Sequence, residues 1–181
     1  LDHYGSWERV REAFVEFSAH VGNVGGTLIM CADDEGAASI GREARENGAN
    51  VIFYGESDDA DARVHAETHG QGVSVSIAFE GHEYAFDIAL PGTYNALNAT
   101  AAFLSARTVG ADAQGIIQGL ETFTGTRRRF ELRGTEKGVR VYDDYAHHPT
   151  EVTALLMAAN KVVDPSNKVH VVFQPHLFSR T

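Results

Sequence analysis

Residues 27–54 read TLIMCADDEGAASIGREARENGANVIFY. The run Thr27 to Cys31 is short and apolar, follows the Gly25-Gly26 break, and reads as a buried strand. Asp33-Asp34 offers side-chain oxygens to the open N–H groups of a helix start, and that helix runs to about Asn47 before Gly48 ends it. Val51 to Tyr54 is the next strand. Strand, helix and strand in this rhythm predict a right-handed parallel unit, and with it an α/β fold.

Upstream, Ser6 is a candidate helix cap, with Trp7, Val10, Phe14 and Phe17 behind it at helical spacing. Downstream the period changes from helical to two. Val73, Val75, Ile77 and Phe79 alternate with small or polar residues, Glu80-Gly81-His82 turns the chain, and Tyr84, Phe86 and Ile88 alternate again. This predicts an antiparallel hairpin with one buried face. Pro91-Gly92 closes it. An alanine-rich helix is expected from about Tyr94 to Val109, stopped by Gly110, and a shorter one from Ala113 to Thr122. Near Gly125 the chain turns basic and then strand-like, at Phe130 to Leu132 and Val139 to Asp143. We therefore expect a domain boundary at about residue 126. Pro149 suits the first turn of a helix with Val152, Leu155, Leu156 and Ala159 as its apolar stripe, and Val169 to Phe173 reads as a further strand. The last 55 or so residues should open a second α/β sheet with a β-α-β unit.

Composition narrows the function. The 181 residues carry a formal net charge of -10, which argues against a general nucleic-acid binder. No apolar run approaches the roughly 20 residues of a membrane span, and Leu1-Asp2-His3-Tyr4 does not look like a signal peptide. The single cysteine, Cys31, suits a reducing cytoplasm. Arg127-Arg128-Arg129, with Arg133, is a local basic exception. By itself such a run reads as a solvated linker; its position next to the following motif argues for more.

Asp143-Asp144-Tyr145-Ala146-His147-His148-Pro149 lies between a strand and a helix, where open α/β sheets bind ligands. Gln174-Pro175-His176 leaves the next expected strand at the corresponding end, so His147 and His176 could share a crevice. Three readings fit. The carboxylates and histidines could hold a transition metal, although adjacent His147 and His148 rarely reach one ion together. His148 could cap the helix that starts at Pro149. Or the loop could clamp a ligand, with a carboxylate for a ribose or amine and imidazoles for an anion.

Four segments carry a resemblance. DDYAHHPTEV (143–152) followed by FQPHLFSRT (173–181), GTRRRFE (125–131) and PGTYNALNATAA (91–102) together resemble the Mur ligase family, and within it the UDP-N-acetylmuramate–L-alanine ligases; LDHYG (1–5) resembles the end of that family's metal-histidine motif. The resemblance implies part of a P-loop-type central domain, mostly parallel with an antiparallel hairpin, over 1–126. The start of a Rossmann-like carboxy-terminal domain would follow over 127–181. It implies an ATP-dependent amide ligase of peptidoglycan synthesis: the muramate carboxylate attacks the γ-phosphate, and the amine of L-alanine displaces phosphate from the acyl phosphate. Mg2+ and positive groups would neutralise the charge that moves. Asn98, and with it Asn95, would contact adenine, Asp144 the ribose, Tyr145 the nucleotide and Arg129 the phosphates. His147, His176 and Arg180 would line the place where acyl group and amino acid meet, with His147 and Arg129 as the catalytic pair. No metal ligand is expected here, since the family's histidine should lie just upstream of Leu1, and His3 is not it.

The sequence also departs from that pattern. Tyr94 stands where many members have histidine, and Leu177 where many have arginine, which leaves Arg180 as the main cation of its motif. No G-x-x-x-x-G-K-[ST] occurs; Gly22-Asn23-Val24-Gly25-Gly26 lacks the lysine. The chain is therefore expected to be a piece of a longer enzyme, inactive alone. A murein peptide recycling ligase carries a similar DD-[FY]-AHHP loop and is the alternative within the class, with a non-catalytic nucleotide-binding module outside it. Folylpolyglutamate synthetases share the general fold but not the histidine motifs.

Overall fold

A computed structural model describes residues 4–70 and 72–174. Contacts divide the chain into two compact units. One comprises the stretch up to His65 with Ser76–Ala85 and Leu97–Ile117; the other comprises Ala66–Val75, Phe86–Ala96 and the described residues from Gln118 onward.

Helix α1 (Trp7–Asn23) starts on Ser6, whose hydroxyl accepts the Arg9 N–H, and leads into strand β1 (Thr27–Cys31). Helix α2 (Glu35–Glu46) is capped by Asp34, which accepts the Ala37 N–H at 2.7 Å, and returns the chain to β2 (Asn50–Gly55). The two strands pair in parallel from Thr27↔Asn50 to Cys31↔Tyr54, as the sequence predicts. Leu28, Ala44, Val51 and Phe53 form the core of this layer, with Val21 and Met30 packed against it. Gly41 lets α2 sit close on the sheet, because a Cβ there would meet the Phe53 ring at 2.6 Å.

Strand β3 (Ala62–His69) is not anticipated by the sequence reading. It pairs in parallel with the end of β2 through Tyr54↔Ala62 and Gly55↔Arg63. The tight connection is held by side chains: Asp33 accepts the Glu56 and Ser57 N–H groups, and Asp61 accepts the Phe53 N–H and ion-pairs with Arg45. Strands β4 (Gly72–Phe79) and β5 (His82–Ile88) complete a sheet of order β1-β2-β3-β4-β5. Their two-residue connection requires an antiparallel pair, so the sheet is mixed. The alanine-rich helix is α3 (Thr93–Thr108), followed by α4 (Ala113–Thr122).

The remaining elements are β6 (Glu131–Glu136), β7 (Val139–Asp143) and α5 (Pro149–Val162). β6 and β7 form a separate antiparallel pair, with a register shift between Leu132 and Gly134. Here the expected β-α-β is corrected. Its first strand and its helix are present, but residues 169–173 join no sheet, and Val172 is 99% exposed. A strand needs a partner for its N–H and C=O groups, and among the described residues these five pair with no strand.

Candidate functional site

The basic linker is a tight turn. Arg128 (φ 58°) and Phe130 (φ 49°) both lie in the left-handed region, which costs a non-glycine residue about 1–2 kcal/mol each. The loop after β7 supplies the restraints. The Phe130 N–H donates to Asp144 Oδ2 at 2.7 Å, the Tyr145 N–H to the Arg128 carbonyl at 2.9 Å, and the Ala146 N–H to Asp144 Oδ1 at 2.7 Å. One carboxylate thus ties the linker to the Asp143–Pro149 loop. Each of its oxygens keeps a second lone pair for a ligand hydroxyl. The Arg128 guanidinium lies 4.6 Å from the centre of the Tyr145 ring, with Nε 3.7 Å from Asp143.

His147 and His148 have different tasks. His148 caps α5: its Nδ1 accepts the Thr150 N–H at 3.3 Å, and the capping-box glutamate, Glu151, accepts the N–H groups of His148 (3.1 Å) and His147 (3.2 Å). Those two N–H groups hold the Glu151 carboxyl below its ordinary range, outweighing the opposing effect of burial, with the Arg129 charge, and that of His147 when its ring is protonated, adding to the lowering. His147 Nδ1 lies 3.0 Å from the Tyr145 carbonyl, which can only accept, so Nδ1 carries the proton and Nε2 of the neutral ring does not. Glu151 Oε2 stands 3.7 Å from the same Nδ1. Glu151 was not a sequence candidate; its signal was the third-residue acid of a capping box behind a histidine cap.

At the start of α3, Asn95 Nδ2 donates to the Pro91 carbonyl at 2.8 Å, which leaves the amide oxygen to accept. Tyr94 is half-buried and packs against Gly92, where an added Cβ would lie 2.6 Å from the phenol ring. Burial, and then the Asp144 carboxylate, push the Tyr94 phenol above its ordinary range; Asn95 and Arg129 pull the other way. Asn95, Arg129, Asp144, Tyr145 and His147 therefore belong to one compact unit, and Tyr94 joins them electrostatically. Asn98 is exposed on α3 and belongs to the other unit. His176 and Arg180 lie outside the described residues.

Beside the linker is a cleft of about 340 Å³, with Leu90 and Pro91 on one side and the 124–132 segment, including Arg127 and Arg129, on the other; Tyr142 also lines it. Phe130 and Tyr142 stack with centroids 4.5 Å apart. Among the described residues no group of three or more His, Cys, Asp or Glu side chains comes together as a metal site would need. What the residues do offer is a carboxylate with open lone pairs, an exposed aromatic face and arginines on a cleft wall, an arrangement chemically suited to a sugar hydroxyl, a base and phosphates.

Comparison with known proteins gives the same direction. The pattern of the Mur ligase middle domain matches residues 1–106, and that of the Mur ligase glutamate ligase domain matches residues 128–180. UDP-N-acetylmuramate–L-alanine ligase from Paenarthrobacter aurescens (strain TC1) is 50% identical over 182 residues, covering 100% of this chain and 39% of that protein. Among solved structures, the UDP-N-acetylmuramate-alanine ligase MurC of Thermotoga maritima aligns with a TM-score of 0.70 at 25% identity, over 87% of this chain and 34% of its own. The MurF ligase of Thermotoga maritima in complex with ADP aligns with a TM-score of 0.69 at 20% identity, over 86% and 35%. The chain thus spans about 39% of the length of a curated relative.

Proposed function

The chain belongs to the Mur ligase family, and from that premise we propose that it is the part of a UDP-N-acetylmuramate–L-alanine ligase spanning the end of the central domain and the start of the carboxy-terminal domain, with the boundary at about residue 126. The observation that carries this reading is the 50% identity to such a ligase along the whole chain. Further support comes from the histidine loop, whose backbone is tied to the basic linker by Asp144. Activity is proposed for the whole cytoplasmic enzyme, of which these residues are one portion.

In that enzyme Asn98 and Asn95 contact the adenine of ATP, and Asp144 accepts ribose hydroxyls through the lone pairs its backbone contacts leave open. Tyr145 offers its ring to the nucleotide, and Arg129 meets the phosphates. The reaction transfers the γ-phosphoryl group to the muramate carboxylate with ADP leaving. The alanine amine then attacks the acyl carbon, phosphate leaves, and the amine nitrogen gives up a proton. His147 suits that proton, since its Nδ1–H is fixed on the Tyr145 carbonyl and its Nε2 is the basic nitrogen. His176 and Arg180 complete the amino-acid end, where a guanidinium can take both carboxylate oxygens. Mg2+, when bound in that enzyme, would supply neutralisation of phosphate charge.

The test is ATP-dependent formation of UDP-N-acetylmuramoyl-L-alanine by the protein expressed from its complete gene, with Asn98→Ala alongside. We expect L-alanine to be the preferred amine. The variant should raise the ATP KM more than the alanine KM, by the roughly 0.5–1.5 kcal/mol of one neutral hydrogen bond. Preference for a murein peptide over L-alanine would assign the recycling reaction instead, and an unchanged ATP KM would remove Asn98 from the nucleotide site.

A further inference from the structure

The three consecutive arginines, Arg127 to Arg129, are put to different uses. Arg128 serves the fold: its guanidinium lies over the Tyr145 ring and beside Asp143, and its side chain takes no part in the cleft wall. Arg127 and Arg129 both line the cleft, and among the described residues neither makes a hydrogen bond or an ion pair. The left-handed φ of the intervening Arg128 accompanies this division. The carboxylate on the same wall, Glu131, is already engaged: Oε2 accepts the Arg128 N–H at 2.9 Å and Oε1 accepts from Arg133 at 2.8 Å. Two guanidiniums thus border a cleft in which both oxygens of the lining carboxylate accept hydrogen bonds from other groups, while the Arg127 charge acts on that carboxylate without a hydrogen bond to it. At about 340 Å³ the cleft falls in the size range of small-molecule sites.

We propose that this cleft is a phosphate subsite and that Arg127 is a further ligand-binding residue in it, holding the phosphate chain of the nucleoside triphosphate together with Arg129. The proposal rests on the reading of Arg129 as a phosphate contact. It adds to that reading a residue from the linker that neither the sequence analysis nor the helix-capping loop assigns. Planar guanidiniums suit phosphate oxygens because they donate in pairs, so lysine should replace Arg127 only in part.

The experiment measures equilibrium binding of ATP, adenosine and inorganic phosphate to the protein expressed from its complete gene, as wild type, Arg127→Gln, Arg127→Lys and Arg129→Gln. Because Arg127 is solvent-exposed, its substitution should leave the melting temperature unchanged. Arg127→Gln should weaken ATP about five- to tenfold, leave adenosine unaffected, and make ATP binding less sensitive to salt, with Arg127→Lys recovering part of the loss. If Arg127→Gln weakens inorganic phosphate but not ATP, the anion subsite stands, its source is the free ion, and the triphosphate assignment of Arg127 is overturned. If neither ligand responds while Arg129→Gln weakens ATP, the inference fails and the reading of Arg129 survives. If Arg129→Gln is silent as well, both fail together.

Discussion

The Tyr142 ring stacks on Phe130, yet its hydroxyl is buried and makes no hydrogen bond among the described residues. A buried unpaired donor costs about 1–3 kcal/mol, whereas the stacked ring contributes whether or not it carries the oxygen. Tyr142→Phe should therefore hold or raise the midpoint of thermal unfolding; a clear fall would mean that the hydroxyl has a partner and that no unsatisfied donor exists. Other side chains of the site were legible in kind but not in duty. A strand-end loop with two aspartates and two histidines announces a polar site from its sequence alone. That Asp144 would spend one lone pair of each oxygen on the Phe130 and Ala146 N–H groups depends on a turn 14 residues upstream, which no local pattern encodes. The division between His147 and His148 was half visible. Pro149 marks a helix start and so makes His148 a cap, while the Nδ1 contact of His147 depends on a loop conformation that only the fold determines.

Helix α5 carries its start signal in four residues, His148 to Glu151, and Glu151 is the acid that closes it. Its carboxyl is held below the ordinary range chiefly by the His148 and His147 N–H groups. A group whose folded pKa is depressed contributes stability above its unfolded pKa and loses it as pH falls through the folded value. Glu151→Ala should cost about 0.5–2 kcal/mol at neutral pH. The advantage of wild type over Glu151→Gln should fade as the solution is taken below the usual glutamate range. Denaturant unfolding at neutral and acid pH checks both, and a pH-independent gap between wild type and Glu151→Gln would show that the charge is not the stabilising feature. Periodicity and end signals also sufficed for β1, α2, β2 and the β4–β5 hairpin. β3 was missed because its inward positions are Ala62, Val64 and Ala66, too small and weak an alternation to stand out, and because the connection that leads into it is held by Asp61 and by Asp33, which comes from the distant loop after β1. Residues 169–173 show the opposite failure. Valines and phenylalanine give the composition of a strand, but pairing is a property of the neighbour as much as of the segment.

At the scale of the whole chain, two apolar surfaces stand out against a formal net charge of -10. On α1, Trp7, Phe14 and Phe17 recur at helical spacing as expected, but the stripe is 58–66% exposed, and the helix turns Ser18 inward instead. In the other unit Val171, Val172 and Phe173 are exposed and unpaired. Monomeric soluble proteins rarely leave contiguous apolar patches of this kind uncovered, and an unpaired run of β-branched residues offers a template for another chain. Mutual repulsion of the net negative charge opposes that association and is screened as salt rises. The 181-residue chain by itself should therefore bind a hydrophobic dye such as ANS in its folded state, and should self-associate increasingly with concentration and salt. Val172→Lys should reduce the association seen by sedimentation without lowering the melting temperature, because a side chain that is 99% exposed has no native packing to lose. Phe14→Glu should reduce dye binding on the α1 stripe, because Phe14 is 58% exposed there. A chain that stays monomeric at high concentration and salt, with no dye bound, would show that these residues are covered in solution.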